Sequence, residues 1–244
     1  MSTSTHLQPE SNIEAPSQED LSNLVQEGSA ALTKGDLRSA LETFGKVIEA
    51  FPDRPEGHNN LGALYSSLNE CAKAEVCFTR VLDILPHNAN AMYNRGVVRA
   101  RLEKSDLARE DFENALKLNP KDPDLFNNLG VINFLQGRLK QARKNFRKAA
   151  KLDSLNTNAV INLCDVEMAA GNHTEAVVLC ENFLAKQNDL DIRQRHFELL
   201  ITGCREALGK ASEAAEALLS EDGKNNGVRL ELGKLIQAQS VLKP

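Results

Sequence analysis

The chain has 244 residues, no Trp, 5% aromatic residues and a net charge of −5. Four of the five excess negative charges lie in residues 1–20, so the rest is nearly neutral and gives no case for nucleic-acid binding. No apolar run reaches the roughly 18 residues of a membrane-spanning helix, and the N-terminus does not resemble a secretory signal. Five Cys without framework spacing are typical of a reducing compartment, which predicts a cytoplasmic protein.

Residues 1–20 are rich in Ser, Thr, Pro, Gln and acidic residues and contain no Lys or Arg. Because this composition has too little apolar surface to offset the entropy of ordering, it predicts a disordered acidic tail. The tail is either a solubilising leader or a regulated segment that binds a partner.

Four residue types then recur with a period of 34 residues. They are Gly28, Gly62, Gly96 and Gly130; Ala40, Ala74, Ala108, Ala142 and Ala176; Phe44, Phe78, Phe112 and Phe146; and Pro52, Pro86 and Pro120. In each unit, Ala precedes Phe by four positions, which places both on one helical face. The Pro ends a second helix, so each unit is predicted to be a helix pair.

This pattern resembles the tetratricopeptide repeat family, most fully at Leu61-Gly62, Tyr65, Ala74, Phe78 and Pro86. The resemblance implies an all-α fold, a right-handed α-solenoid of stacked antiparallel helix pairs with a concave, ligand-binding face. Five repeats are expected at residues 21–54, 55–88, 89–122, 123–156 and 157–190. Residues 191–244 are expected to form a degenerate sixth helix pair and a C-terminal capping helix.

Repeat three departs from the family pattern. Arg95 and Arg99 stand on the packing side of its first helix, where the family has Leu and Tyr. A partly buried Arg needs an acidic partner, and Glu110 and Asp111 on the facing helix are the candidates. We therefore expect an internal ion pair, with a ligand-binding role as the alternative.

The second helix of repeat four is strongly basic. Its cations alternate with Ala142, Phe146 and Ala149, which must face inward, so a convex basic patch is expected. The patch comprises Arg138, Lys140, Arg143, Lys144, Arg147, Lys148 and Lys151. It could dock an acidic protein, a membrane surface or the acidic tail, or be a solvated face. No aromatic residues interleave with the charges, so we predict no nucleic-acid partner.

Repeat five loses two signature residues together, because Cys164 replaces the Gly and Cys180 replaces the Phe. The family resemblance implies that these positions touch across the helix pair. Buried, inert thiols are the favoured interpretation, and a redox pair or a metal site is the alternative. Two thiols without a neighbouring His make a poor zinc site, so no metal is predicted.

An Asn recurs two residues before the Gly position, at Asn60, Asn94, Asn128 and Asn162. In the family, this stripe of the first helix lines the concave groove. An Asn side chain is both donor and acceptor, so a ladder of them can bind the backbone of an extended peptide. The alternative is that these Asn residues bond to neighbouring helices and support the stack.

The remaining groove residues carry little charge. Chaperone-binding members of the family clamp a terminal carboxylate with Lys and Arg, whereas Arg101 is the one cation placed on this stripe. The other residues predicted to line the groove are Tyr93, Val97, Asn127, Val131, Phe134 and Leu135. We expect the groove to receive an extended or helical segment with apolar side chains and little net charge.

The sequence has no phosphate-binding Gly loop, HExxH motif or nucleophile elbow. We therefore predict no enzymatic activity and no cofactor. The leading hypothesis is a protein-interaction scaffold or assembly adaptor. The alternatives are a regulatory or targeting subunit of an enzyme complex, and a structural protein that self-associates through the ends of its repeat array.

Overall fold

The computed structural model describes residues 17–186 and, beyond them, positions 192, 199, 202–203, 206, 209–210, 212–213 and 216. Most of the acidic tail lies outside the described residues. So do most of the expected sixth helix pair and the whole C-terminal capping helix.

Within residues 17–186 the chain forms ten α-helices and no strand. They are α1 (Gln18–Thr33), α2 (Leu37–Ala50), α3 (Pro55–Ser67), α4 (Cys71–Ile84), α5 (Ala89–Arg101), α6 (Ser105–Leu118), α7 (Pro123–Leu135), α8 (Leu139–Leu152), α9 (Thr157–Ala169) and α10 (His173–Leu184). Odd-numbered helices are the first members of their pairs and even-numbered helices the second. The second helices begin at intervals of 34 residues, and the all-α fold of paired helices is confirmed.

The chain divides into two compact units, Met1–Leu118 with α1 to α6 and Asn119–Pro244 with α7 to α10. Within each unit, every helix packs against the next helix along the chain. Because each inner helix thereby buries an apolar stripe on two neighbours, the core of each unit runs along the stack.

The start of α1 differs from the expected boundary. Ser17 forms a capping box, in which its Oγ accepts from the Asp20 N–H at 3.2 Å and its own N–H donates to Asp20 Oδ2 at 2.8 Å. Two otherwise unpaired backbone donors are satisfied in this way. The helix therefore begins at Gln18, and the prediction that the tail extends to residue 20 is wrong for its last three residues.

Four helix pairs share one close contact, between the Gly of the first helix and the Phe of the second. Phe44, Phe78, Phe112 and Phe146 are at most 1% exposed. A Cβ placed on Gly28, Gly62, Gly96 or Gly130 would lie only 2.4 to 2.9 Å from the Cε1 atom of that ring. Gly is therefore required for the ring to lie against the helix backbone, and burying each ring contributes about 2–3 kcal/mol.

The turn within each pair places one residue in the left-handed region of backbone conformation. Gly35, Gly137 and Gly171 have φ between 70° and 76°, and Asn69 and Glu103 take the equivalent position with φ of 60°. Gly adopts this conformation without strain and Asn tolerates it, whereas Glu does not. The turn of the third pair is therefore the strained one among these five.

We expect Glu103→Gly to stabilise the protein by about 1 kcal/mol, because it removes the left-handed strain. The matched control is Glu113→Gly, at an exposed position inside α6, which should destabilise by about 1 kcal/mol. Urea unfolding midpoints would measure both. If both variants move the unfolding midpoint in the same direction, the proposed strain at Glu103 is contradicted.

Candidate functional site

The predicted groove stripe of the first unit contains a pocket. It has a volume of about 390 Å³ and is lined by Ala63, Ser66, Ser67, Phe78, Asn94 and Arg101. These residues come from α3, α4 and α5, so two neighbouring first helices supply the walls. Asn94 and Arg101 were predicted from the sequence as groove residues, whereas Ser66 and Phe78 were not.

Arg101 is held in place by the end of α3. Its Nη1 donates to the backbone carbonyl of Ser66 at 3.1 Å and to Ser66 Oγ at 3.4 Å. A cation suits this position because the last carbonyls of a helix lack partners and carry partial negative charge. Of the five N–H groups of the guanidinium, those on Nε and Nη2 make no bond within the described part of the chain.

The Asn ladder has two different environments. Asn60, Asn94 and Asn128 are half-buried, and their side chains make no hydrogen bond within the described residues. Asn162, in contrast, donates from Nδ2 to Asn127 Oδ1 at 2.9 Å, which joins α9 to α7. For Asn162 the structure therefore supports the role of stabilising the stack.

The predicted groove residues of the second unit are mainly apolar. Val131 and Phe134 pack against the core cluster that contains Ala142 and Phe146, so both are partly buried. Leu135, at the end of α7, is 71% exposed. In the first unit, Val97 is half-buried and the ring of Tyr93 packs against Phe112 with the centroids 6.1 Å apart.

The unusual arginines of repeat three form an internal ion network. Arg95 binds Asp111 with both ends of its fork, at 2.7 and 3.1 Å, and Arg99 Nη1 binds the same carboxylate at 2.8 Å. Asp111 is only 2% exposed, whereas Glu110 is exposed, so the predicted internal ion pair is confirmed with Asp111 as its acid.

Glu75 extends this network to the preceding helix pair, and its role was not predicted. Arg99 Nε donates to its Oε1 at 2.9 Å and Lys104 Nζ to its Oε2 at 2.6 Å. Burial raises the pKa of Glu75, but the hydrogen bonds from Lys104 and Arg99 lower it below the ordinary value. Glu75 is therefore ionised at neutral pH and joins α4 to α5.

Two residues of the expected basic patch share one buried acid that sequence reasoning missed, and Arg147 Nη2 also lies 3.5 Å from Glu175 Oε1. Glu167 on α9 is 1% exposed and accepts from Arg143 Nη2 at 2.7 Å, Arg147 Nη2 at 3.3 Å and Asn172 Nδ2 at 2.9 Å. The expectation of an outward-facing patch is therefore wrong in part for Arg143, whose side chain is only 27% exposed, whereas Arg147 remains 53% exposed.

The other five cations make no ion pair within the described residues. Lys148 lies 5.9 Å from the centroid of the Phe126 ring, which suits a cation–π contact. The remaining four are Arg138, Lys140, Lys144 and Lys151, and all are exposed.

The described residues do not form a metal centre. No group of three His, Cys, Asp or Glu residues among them could hold a metal ion. None of the ten helices combines the length and apolar character that crossing a bilayer requires. Cys164 and Cys180 touch with their sulfur atoms 3.5 Å apart, as the family resemblance implied.

Comparisons with known proteins agree with this architecture. Residues 25–75 and 93–157 match the family model described as Tetratricopeptide repeat. No curated protein matches the sequence significantly. Many solved structures match, and those named below have low sequence identity, so the structural likeness shows the fold alone.

Three of these structures illustrate the likeness. MamA from Desulfovibrio magneticus RS-1, from residue 41 to its end, is 20% identical with a TM-score of 0.64, covering 70% of this chain and 98% of that chain. YrrB, described as a TPR protein with an unusual peptide-binding site, is 20% identical with a TM-score of 0.60, covering 74% and 93%. A tetratricopeptide repeat protein from Parabacteroides merdae ATCC 43184 is 19% identical with a TM-score of 0.67, covering 91% and 88%.

Removing the charge of Asp111 should strongly destabilise the first unit. Asp111→Asn leaves Arg95 and Arg99 half-buried without a carboxylate between them, which should cost about 3 kcal/mol. The control, Glu110→Gln on the same helix, should change stability by less than about 0.5 kcal/mol because Glu110 is exposed. Urea unfolding midpoints compare the stabilities of the two variants. Equal losses of stability would show that the ion network makes no specific contribution.

Proposed function

Because this chain belongs to the tetratricopeptide repeat family, we propose that it is a non-enzymatic scaffold or assembly adaptor that binds a segment of another protein. The segment binds along the first helices of the repeats. The observation that carries this proposal is the pocket between α3 and α5, in which Asn94 and Arg101 present unpaired hydrogen-bonding groups beside an apolar floor.

The size and lining of the pocket suit a peptide side chain together with its backbone. Its volume of about 390 Å³ lies near the lower end for ligand pockets. Phe78 and Ala63 provide apolar contact, and the Asn94 amide can both donate to and accept from a peptide group. These features support a ligand that is an extended segment rather than a cofactor.

Arg101 adds an orienting contact. One nitrogen of its guanidinium is fixed on α3, which limits the side-chain entropy lost when a ligand binds. The remaining N–H groups can donate to a peptide carbonyl or another oxygen acceptor at the pocket rim. With this single cation, the pocket favours a segment of little net charge over one rich in basic residues.

The second unit offers a different kind of contact. Leu135 is largely exposed and Asn128 has no side-chain hydrogen bond within the described residues, whereas Asn127 and Asn162 bind each other. We assign apolar contact to Leu135 and a peptide-backbone contact to Asn128. The role of Asn162 is to support the stack.

The same proposal places the protein in the cytoplasm, with a protein partner and no nucleic-acid ligand. Its wider role is open to two alternatives, a subunit that regulates or targets an enzyme and a protein that assembles with copies of itself. Co-purification of an enzyme in a pull-down with this protein would favour the first alternative. A mass that rises with concentration in light scattering would favour the second.

A peptide library displayed on phage tests the pocket whatever the identity of the partner. Peptides selected on the wild-type protein should bind the Asn94→Ala, Arg101→Gln double variant about 10- to 100-fold more weakly, because two hydrogen-bonding groups are lost. Isothermal titration calorimetry would measure the affinities, and circular dichroism would confirm that the variant is folded.

The control is Asn119→Ala, which removes an exposed amide outside the helices and should leave affinity unchanged. Selected peptides that bind the double variant as tightly as the wild type would contradict the pocket as the binding site. Failure to select any peptide would contradict the scaffold proposal itself.

A further inference from the structure

Two thiols face each other inside the last helix pair that the structure describes in full. Cys164 lies on α9 and Cys180 on α10, and both side chains are completely buried. Their Sγ atoms are 3.5 Å apart, whereas a disulfide bond joins sulfurs at about 2.0 Å. A movement of about 1.5 Å by the sulfurs would therefore suffice to join them.

The contact arises because both members of the Gly–Phe pair are replaced. In the other four pairs, the Phe ring fills the space against the Gly backbone. Here two small sulfur-bearing side chains meet in that space, surrounded by Val160, Ala176 and Phe183. The side chains around the pair are apolar, and Cys164 Sγ also lies 3.5 Å from the backbone carbonyl oxygen of Ala176.

The thiol contact also changes the acidity of one member. The contact with Cys164 lowers the pKa of Cys180, against the opposing effects of burial and of Glu181. Cys77, buried on α4 without a facing thiol, has its pKa raised by burial. Since the thiolate is the form that reacts with oxidants, Cys180 is better prepared for oxidation than Cys77.

We propose that Cys164 and Cys180 are a redox modification site, which forms an intramolecular disulfide when a peroxide reaches the protein. This inference is independent of the proposed peptide binding. It is also distinct from a metal site, because within the described residues no third metal-binding side chain joins the two thiols.

The chemistry balances with hydrogen peroxide as the oxidant. The Cys180 thiolate attacks one peroxide oxygen, the O–O bond breaks, and the departing hydroxide takes up the thiol proton as water; the product is a sulfenic acid. The Cys164 thiolate then attacks the Cys180 sulfur, forming the S–S bond and releasing the second oxygen as water. Two thiols lose two electrons, and one peroxide becomes two waters.

Burial determines how the site responds. Because neither sulfur is exposed, a local opening around the helix pair that admits peroxide limits the rate of oxidation, and the disulfide then holds α9 against α10. The bond closes a loop over residues 165–179, which stabilises the helix pair against unfolding. The oxidised form should therefore resist reduction until the protein is unfolded.

Mapping of thiols in the full-length protein tests the proposal. Protein treated with hydrogen peroxide is unfolded, alkylated with N-ethylmaleimide, digested and analysed by mass spectrometry. We expect a disulfide-linked peptide that joins Cys164 to Cys180, while Cys71 and Cys77 remain alkylated. The melting temperature of the oxidised protein should rise by roughly 5–10 °C and fall back after reduction in denaturant.

Single variants provide the controls. Cys164→Ala and Cys180→Ala should abolish both the linked peptide and the rise in melting temperature, whereas Cys71→Ala should retain them. The proposal is overturned if peroxide leaves all these thiols unchanged, or oxidises Cys71 and Cys77 first. It is also overturned if Cys164 or Cys180 is linked mainly to another Cys. If an Ala variant fails to fold, thiol mapping of the wild-type protein is sufficient to test the proposal.

Discussion

The contact between a Gly on one helix and a Phe ring on the next is the constraint on which the repeats depend. A Cβ at Gly96 or Gly130 would approach the ring to 2.6 or 2.4 Å, so the two helices can come this close only without one. The Gly and the Phe of each contact lie 16 residues apart, and the contact recurs in four successive helix pairs. The 34-residue period of Gly and Phe in the sequence reflects this repeated contact.

Two ion pairs between neighbouring helix pairs use the same repeat positions with opposite arrangements of charge. In the first unit Glu75 on α4 binds Arg99 on α5, and in the second unit Arg143 on α8 binds Glu167 on α9. Both pairs are 24 residues apart and occupy equivalent repeat positions with the charges exchanged. Because a buried charge left without its partner costs several kcal/mol, each of these interfaces is stable only with the helix that carries the matching charge.

Features that arise from the repeat period or from an unpaired charge can be predicted from the sequence. The helix pairs reflect the 34-residue spacing, and the acid beside Arg95 and Arg99 reflects the cost of burying an unpaired charge. Glu75 and Glu167 escaped prediction because their partners lie on helices of different repeats, where periodicity within one repeat gives no signal. The bond between Asn127 and Asn162 depends on side-chain rotamers, which the pattern of residue types does not determine.

The same repeat positions yield a polar pocket in one unit and an apolar surface in the other. The places of Ser66, Ser67 and Arg101 in the first unit are taken by Phe134, Leu135 and Ala169 in the second. The two Ser hydroxyls are thus replaced by bulky apolar side chains, and the Arg guanidinium by the methyl group of Ala. The position of Asn94, whose amide is unbonded within the described part of the chain, is taken by Asn162, whose amide is hydrogen-bonded. Under the proposed function, a segment bound at the first unit meets hydrogen-bond donors, and a segment bound at the second unit meets apolar side chains. Selectivity for such a segment would come from these substitutions, since the helix geometry is common to all the repeats.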